Sequence, residues 1–207
     1  MILVKAIPLI LLIPSKTSRS SIAGTRSSGR VDMEFSYCPA CGNGLEKKHH
    51  GGKDRAYCGR CDTIHYRNPT IGVAVILMRE GKLLLVERSG SYKDMWCIPC
   101  GHVEWDEDIR IAAVREFKEE TGLDIELGPV FTAHSNFHDR QKQTVGVWFW
   151  ADHARGILKP GSDAKDAGFF SLDALPEPMA FPTDRLVCEQ LRRSLQSGAE
   201  PIWAMLR

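Results

Sequence analysis

Nowhere in the 207 residues is there an unbroken apolar stretch of the roughly 18 residues that a membrane-spanning helix needs, so a membrane is not an expected partner. Charge of one sign is not in surplus either: 27 Lys+Arg stand against 26 Asp+Glu, a formal net charge of +1. Holding nucleic acid by bulk electrostatics takes an excess of cations, so a nucleic-acid partner is not expected. No internal repeat is visible, and residues 1–31 lack acids altogether, their charges being Lys5, Lys16, Arg19, Arg26 and Arg30. What remains is an ordinary globular mixture, 43% hydrophobic and 26% charged, which excludes wholesale disorder and suits one domain with a small addition. Seven cysteines ask for their own explanation.

Residues 1–33 do not read as part of a fold, because the apolar run Ala6–Pro14 carries two prolines and a Ser/Arg/Gly-rich stretch follows. A secretory signal, an organellar transit peptide and a translation start at Met33 are the three readings. The Met33 start is preferred, since nothing upstream contributes chemistry. The expected location is the cytoplasm, or an organelle matrix if residues 1–33 are a transit peptide.

Residues 34–68 hold Cys38-Pro-Ala-Cys41 and Cys58-Gly-Arg-Cys61. Two C-x-x-C pairs at this separation are a zinc signature, and four thiolates close a tetrahedral site with no position left for a substrate. The rival is a pair of disulfides in a secreted protein. The intervening stretch is rich in Gly and Lys and has almost no core, so a metal is needed to hold it. This segment is read as a small zinc ribbon with structural Zn²⁺, with His49, His50 and His65 as bystanders. It offers a surface for a homodimer or a cover for a substrate cleft.

From residue 69 to 198 the texture is mixed α/β, and residues 199–207 form a tail. Ile71–Met78 and Leu83–Glu87 are apolar, β-branched-rich runs joined through Glu80-Gly81-Lys82, a hairpin signal. A helix is predicted from about Asp108 to Thr121, ended by Gly122. Further strands are predicted near Ile125–Ala133, Thr144–Ala151 and Gly168–Ser171, and a closing helix from about Asp184 to Gln196. In the run Trp148-Phe149-Trp150, alternation sends Phe149 to one face and both tryptophans to the other. Cys188 lies in a helical apolar pattern and reads as core.

The chemistry concentrates in residues 101–123, which carry Glu104, Asp106, Glu107, Asp108, Glu116, Glu119 and Glu120 against Arg110, Arg115 and Lys118. On a helix, Glu116, Glu119 and Glu120 fall at i, i+3 and i+4 and share a face. Adjacent carboxylates raise one another's proton affinity unless a cation sits among them, and hard oxygen donors at this density suit Mg²⁺ or Mn²⁺. Ala112 and Ala113 let the helix approach a neighbouring element closely.

These residues match, at every specified position, the pattern Gly-x5-Glu-x7-Arg-Glu-U-x-Glu-Glu-x-Gly-U, with Phe117 and Leu123 in the bulky apolar slots. The stretch thereby resembles the Nudix box. The resemblance extends over about residues 69–195, and the preceding ribbon with His65-Tyr66-Arg67-Asn68-Pro69 resembles the zinc-ribbon, ADP-ribose-pyrophosphatase-like subgroup. It implies an α/β/α sandwich with a mixed sheet, and hydrolysis of a nucleoside diphosphate linked to another moiety. It also implies metal held by Glu116, Glu119, Glu120 and the Gly101 carbonyl, proton transfer by Glu119 or Glu120, and a brace formed by Arg115 and Glu107. A base from outside the box is also possible, with Asp163 and Asp166 as candidates. ADP-ribose ranks first as substrate, ahead of FAD, NADH and oxidised nucleoside triphosphates; the Ser-Gln-Pro-Trp string of NADH pyrophosphatases is absent. A non-catalytic nucleotide-binding protein of the same fold is the rival class.

One departure stands out. The family usually enters the box with Pro-Gly-Gly, whereas here it is Pro99-Cys100-Gly101. The string Trp96-Cys97-Ile98-Pro99-Cys100 imitates a thioredoxin-type site, but that chemistry needs a helix opening at the cysteines and Gly101-His102-Val103 follow instead. A disulfide or a second metal site at Cys97 and Cys100 stays open. Ser135-Asn136-Phe137-His138-Asp139 sits where Nudix enzymes often place specificity loops, which makes His138 a substrate-site candidate.

Overall fold

A computed structural model describes residues 35–139 and 142–196. The expectations for residues 1–33 and for the 199–207 tail lie outside the described residues. The chain divides into two compact units between Arg67 and Asn68.

The first unit is a three-stranded antiparallel sheet of β1 (Glu46–His50), β2 (Lys53–Cys58) and β3 (Thr63–His65), in that order. Gly51 and Gly52 turn the β1–β2 hairpin with His50 opposite Lys53. Among the described residues of this unit only Cys38 and Cys58 are buried, so its interior is essentially its sulfur atoms.

The second unit runs β4 (Thr70–Ile76), β5 (Met78–Arg79), β6 (Lys82–Arg88), β7 (Trp96–Cys97), β8 (Cys100–His102), α1 (Ile109–Thr121), β9 (Asp124–Asn136), β10 (Thr144–Arg155), β11 (Ala164–Ser171) and α2 (Pro182–Gln196). One sheet has the order β8-β4-β10-β9 and is mixed, since β4 and β10 are parallel while the outer pairs are antiparallel. The other has the order β11-β6-β5, with β7 also paired to β6.

The apolar runs of β4, β6 and β10 are nearly continuous because both faces are covered. Val73, Val75, Leu84 and Phe149 pack with Ala112, Ala113 and Phe117 of α1. Their neighbours Ala74, Ile76, Leu83, Leu85, Trp148 and Trp150 pack with Val187, Cys188 and Leu191 of α2. Alternate residues of the same strands thus feed opposite helices, which is the predicted sandwich. Full burial of Phe117 alone contributes roughly 2–3 kcal/mol.

Helix α1 starts where the Asp108 side chain accepts from Arg110 N at 2.8 Å, and it stops at Gly122, whose φ of 73° continues the chain in the left-handed region. Its first turn is held in place by Arg110, which donates to the Leu127 and Gly128 carbonyls. The contacts of α1 run to β4, β8, β9 and β11. The glutamates of the box are therefore presented to the short strand β8.

Candidate active site

The three box glutamates leave one helix but enter three environments. Glu116 lies flat on β8: a Cβ placed at Gly101 would be 1.9 Å from the Glu116 carboxyl carbon. Only glycine leaves room for that carboxylate. Glu119 is more exposed, and Arg115 Nη1 lies 3.0 Å from Glu116 and 3.5 Å from Glu119. The guanidinium is the cation shared by those two carboxylates.

Arg115 also ties the helix to the loop that precedes it. Its Nε and Nη2 donate to the two Glu107 oxygens at 2.7 and 2.8 Å, and Nη2 donates to the His102 carbonyl at 3.2 Å. This two-pronged hydrogen bonding holds the Glu107 carboxyl below its ordinary range and the Arg115 guanidinium above its own. Glu107 in turn accepts from Glu104 N.

Glu120 turns inward. It is 1% exposed and accepts from Cys100 N at 2.8 Å. Burial pushes its carboxyl up to about 8, with the adjacent Asp163 adding to the rise and Arg88 opposing it. Asp163 arrives from the loop before β11 and is anchored by Arg88 Nη2 at 2.7 Å. Asp166 stays apart: it lies on β11, is exposed, and caps its own next residue, Ala167. Of the two candidates outside the box, only Asp163 joins the glutamates.

A cavity of about 300 Å³ opens beside Gly101. Gly72 and Gly146 keep its floor low, since a side chain at Gly146 would meet the Trp148 ring at 2.6 Å. Arg88, Cys100 and Asp184 line one side, and Tyr92, His138 and Phe181 another. Asp184 accepts from Ile98 N at 3.0 Å and from Trp148 Nε1 at 3.2 Å, and burial pushes its carboxyl up to about 7. The sequence reading placed Asp184 at the helix start and missed its role as a buried acid. Arg88 was missed as well, because it ends an apolar strand and nothing local marks its partners. Trp148 does face the cavity, but its N–H is committed to Asp184.

In the first unit the sulfurs of Cys38, Cys41, Cys58 and Cys61 lie within 4.8 Å of one another. Cys38 to Cys61 is 4.0 Å and Cys41 to Cys58 is 3.6 Å. A tetrahedron with Zn–S bonds of about 2.3 Å has edges of about 3.8 Å, so the spacing fits zinc; disulfides would need about 2.05 Å. Burial resists the Cys38 thiolate, but the Ala40 and Cys41 N–H groups outweigh it and bring that thiol down to about 6. Neighbouring sulfurs push Cys61 up to about 12. His65 is outside this ligand set, with its Nε2 at hydrogen-bond distance, 3.5 Å, from Cys38 Sγ.

Among the described residues this is the only such cluster of three or more metal-ligating atoms, and the box glutamates do not converge to that degree. Glu116 and Glu120 meet β8, while Glu119 is exposed beside Arg115. The donor set, all hard oxygens beside a glycine cradle, fits a divalent cation such as Mg²⁺. Cys97 and Cys100 are free thiols on β7 and β8, and Arg88 Nη1 lies 3.8 and 3.9 Å from their sulfurs. The Cys97 contact and burial push the Cys100 thiol well up, and no helix opens there, so the geometry is not that of a thioredoxin-type site. Cys188 is core, as expected.

The family description "NUDIX domain" matches residues 67–190. An ADP-ribose pyrophosphatase of Methanocaldococcus jannaschii is 34% identical over 129 residues, which cover 61% of this chain and 76% of that protein. An NAD-capped RNA hydrolase NudC of Vibrio atlanticus is 29% identical over 150 residues, 72% of this chain; the chain spans only about half (54%) of that relative. The crystal structure of a NUDIX hydrolase from Nitrosomonas europaea superposes with a TM-score of 0.68 at 26% identity, covering 81% of this chain and 95% of that one. With the box complete, the sandwich formed and the family description spanning more than half its length, the chain belongs to the Nudix hydrolases.

Proposed function

We propose that the chain hydrolyses the pyrophosphate bond of ADP-ribose, giving AMP and ribose 5-phosphate, with Mg²⁺ or Mn²⁺ held by Glu116, Glu119, Glu120 and the Gly101 carbonyl. The observation that carries this reading is the Glu116 carboxylate seated in the space left by Gly101, a residue that itself lines the cavity. The choice of substrate rests on the similarity to the Methanocaldococcus protein.

Bound there, the metal supplies neutralisation of the phosphate oxygens and of the departing phosphate, which is most of what this reaction needs. The chain's own groups supply position. Arg115 and Glu107 lock the loop onto α1, so the glutamates meet β8 at one fixed angle. Glu119 or Glu120 takes the proton from the attacking water. Glu120 Oε2 accepts from Cys100 N, Oε1 lies 3.9 Å from Arg88, and the carboxyl also hydrogen-bonds Asp163.

The four ribbon cysteines hold a structural Zn²⁺, which leaves that metal no part in hydrolysis. With NudC proteins also among the relatives, NADH is the second substrate to try. The test is a panel of ADP-ribose, NADH, FAD and oxidised nucleoside triphosphates, assayed with Mg²⁺ on folded full chain. ADP-ribose should show the highest kcat/KM. No turnover of any member would overturn catalysis and favour a nucleotide-binding role.

A further inference from the structure

Resting on the reading of the chain as an ADP-ribose hydrolase, we infer that Tyr92, oriented by His138 and Asn136, selects a nucleobase that carries an exocyclic amine. The three rings of Tyr92, His138 and Phe181 form a cage at the wall of the cavity that also reaches Gly101. Tyr92 lies 5.1 Å from Phe181 and 5.7 Å from His138, and His138 lies 6.0 Å from Phe181, with interplanar angles of 55–67°. Packed against one another at these angles, the rings present an aromatic wall to the cavity against which a flat aromatic group can lie.

The polar edge of this cage has a defined direction. Asn136 Oδ1 hydrogen-bonds His138 Nδ1, and a carbonyl oxygen can only accept. With the Asn136 amide oxygen so placed, the ring N–H is assigned to Nδ1 and Nε2 is left to accept. Tyr92 Oη lies 2.8 Å from that Nε2, so the hydroxyl donates its one proton there. What Tyr92 then offers a ligand is lone pairs alone. A base presenting an N–H₂ group satisfies them, whereas a base with a carbonyl at the same position sets oxygen against oxygen.

Tyr92 is also held ready. Its φ of 59° is unusual for a bulky side chain, and such backbone persists only where the surroundings enforce it. Here Arg88 Nε donates to the Ser91 carbonyl at 2.8 Å, Ser89 N to Asp163 O at 2.6 Å, and Asp94 N to Arg88 O at 2.9 Å. Lys165 grips Asp94 from β11. The loop that carries Tyr92 is thus tied at both ends before any ligand arrives, which lowers the ordering cost of binding.

The experiment compares ADP-ribose with inosine diphosphate ribose, whose base has a carbonyl in place of the amine and an N1–H in place of the bare ring nitrogen. Full-chain wild type and Tyr92→Phe, each checked by thermal melt, are assayed with Mg²⁺. Wild type should prefer ADP-ribose, and Tyr92→Phe should shrink that preference about tenfold, through a higher KM for ADP-ribose and a KM for the inosine substrate that falls as the opposing oxygen is removed. An unaltered preference, or equal losses on both substrates, would overturn the inference. Calorimetric binding of AMP and IMP to the same two proteins reads the same ratio without turnover. Absence of ADP-ribose hydrolysis would thus sink the proposed reaction, while an unchanged AMP/IMP ratio would sink the role of Tyr92.

Discussion

Replacing Gly101 by alanine tests the centre of the proposed site with the smallest possible change. The added methyl carbon would sit 1.9 Å from the Glu116 carboxyl carbon and 2.2 and 2.3 Å from its oxygens, where real Cβ contacts stay beyond 3.0 Å. Glu116 must therefore move by more than an ångström and give up its 3.0 Å pairing with Arg115. Gly101 does not use the left-handed region of backbone space, so alanine itself is tolerated there. Losing a partly exposed ion pair costs about 1 kcal/mol or less, and removing a glycine from the unfolded chain returns about 0.5–1 kcal/mol. Net stability should stay within about 1 kcal/mol of wild type.

Turnover should behave differently, because an ångström of misplacement at a reacting centre costs about a hundredfold in rate. The assay is kcat for ADP-ribose with saturating Mg²⁺, alongside a thermal melt. Combining Gly101→Ala with Glu116→Ala supplies the control: with the carboxylate gone, the methyl has nothing to displace, and the two effects should fail to add. Near-normal kcat in Gly101→Ala, or full additivity in the double variant, would refute the assignment of Glu116.

Glu120→Gln keeps an acceptor for Cys100 N while removing a buried carboxyl, so turnover should fall by orders of magnitude, about a hundredfold or more, with stability unchanged or slightly raised; kcat and melting temperature check this. For Asp184, burial raises the native value from 3.8 to about 7, so the unfolded chain releases its proton first and stability falls as pH climbs between those limits, by about 4 kcal/mol in total. Denaturant melts at pH 5 and pH 8 should show about 2–3 kcal/mol more loss in wild type than in Asp184→Asn, where the raised Glu120 carboxyl still titrates. Chelation should remove one zinc per chain and release amide protection in residues 38–65 before the second unit melts; hydrogen exchange with metal analysis reads both, and disulfides at the four cysteines with no zinc would contradict it.

The parts of this molecule that the sequence makes readable are those whose cause is local. Asp108 and Gly122 mark the ends of α1 because capping is settled within a few residues. The alternation Trp148-Phe149-Trp150 places its rings correctly because a strand's faces follow from its pleat. Strands β7 and β8 escaped notice because they are two and three residues long around Ile98 and Pro99, with no run in which a period can show. The box glutamates mark the same boundary inside the site. Helical spacing correctly puts them on neighbouring positions, but it says nothing about what lies opposite. The contact with β8 buries Glu120 and leaves Glu119 in solvent.

The cavity goes further beyond local pattern, because its wall is drawn from segments far apart in sequence: Tyr92 follows β6, Asn136 ends β9, and Phe181 immediately precedes α2. Arg88 shows why composition gave no warning. It reads as the polar end of an apolar strand, yet its guanidinium is 8% exposed and gathers Ser91, Asp163 and both thiols. Asp163 reaches Glu120 only because β11 pairs with β6 and brings its leading loop to Arg88. Catalytic groups in one contiguous box are therefore open to sequence reading, whereas the groups that would choose the substrate come together only once the sheets have formed.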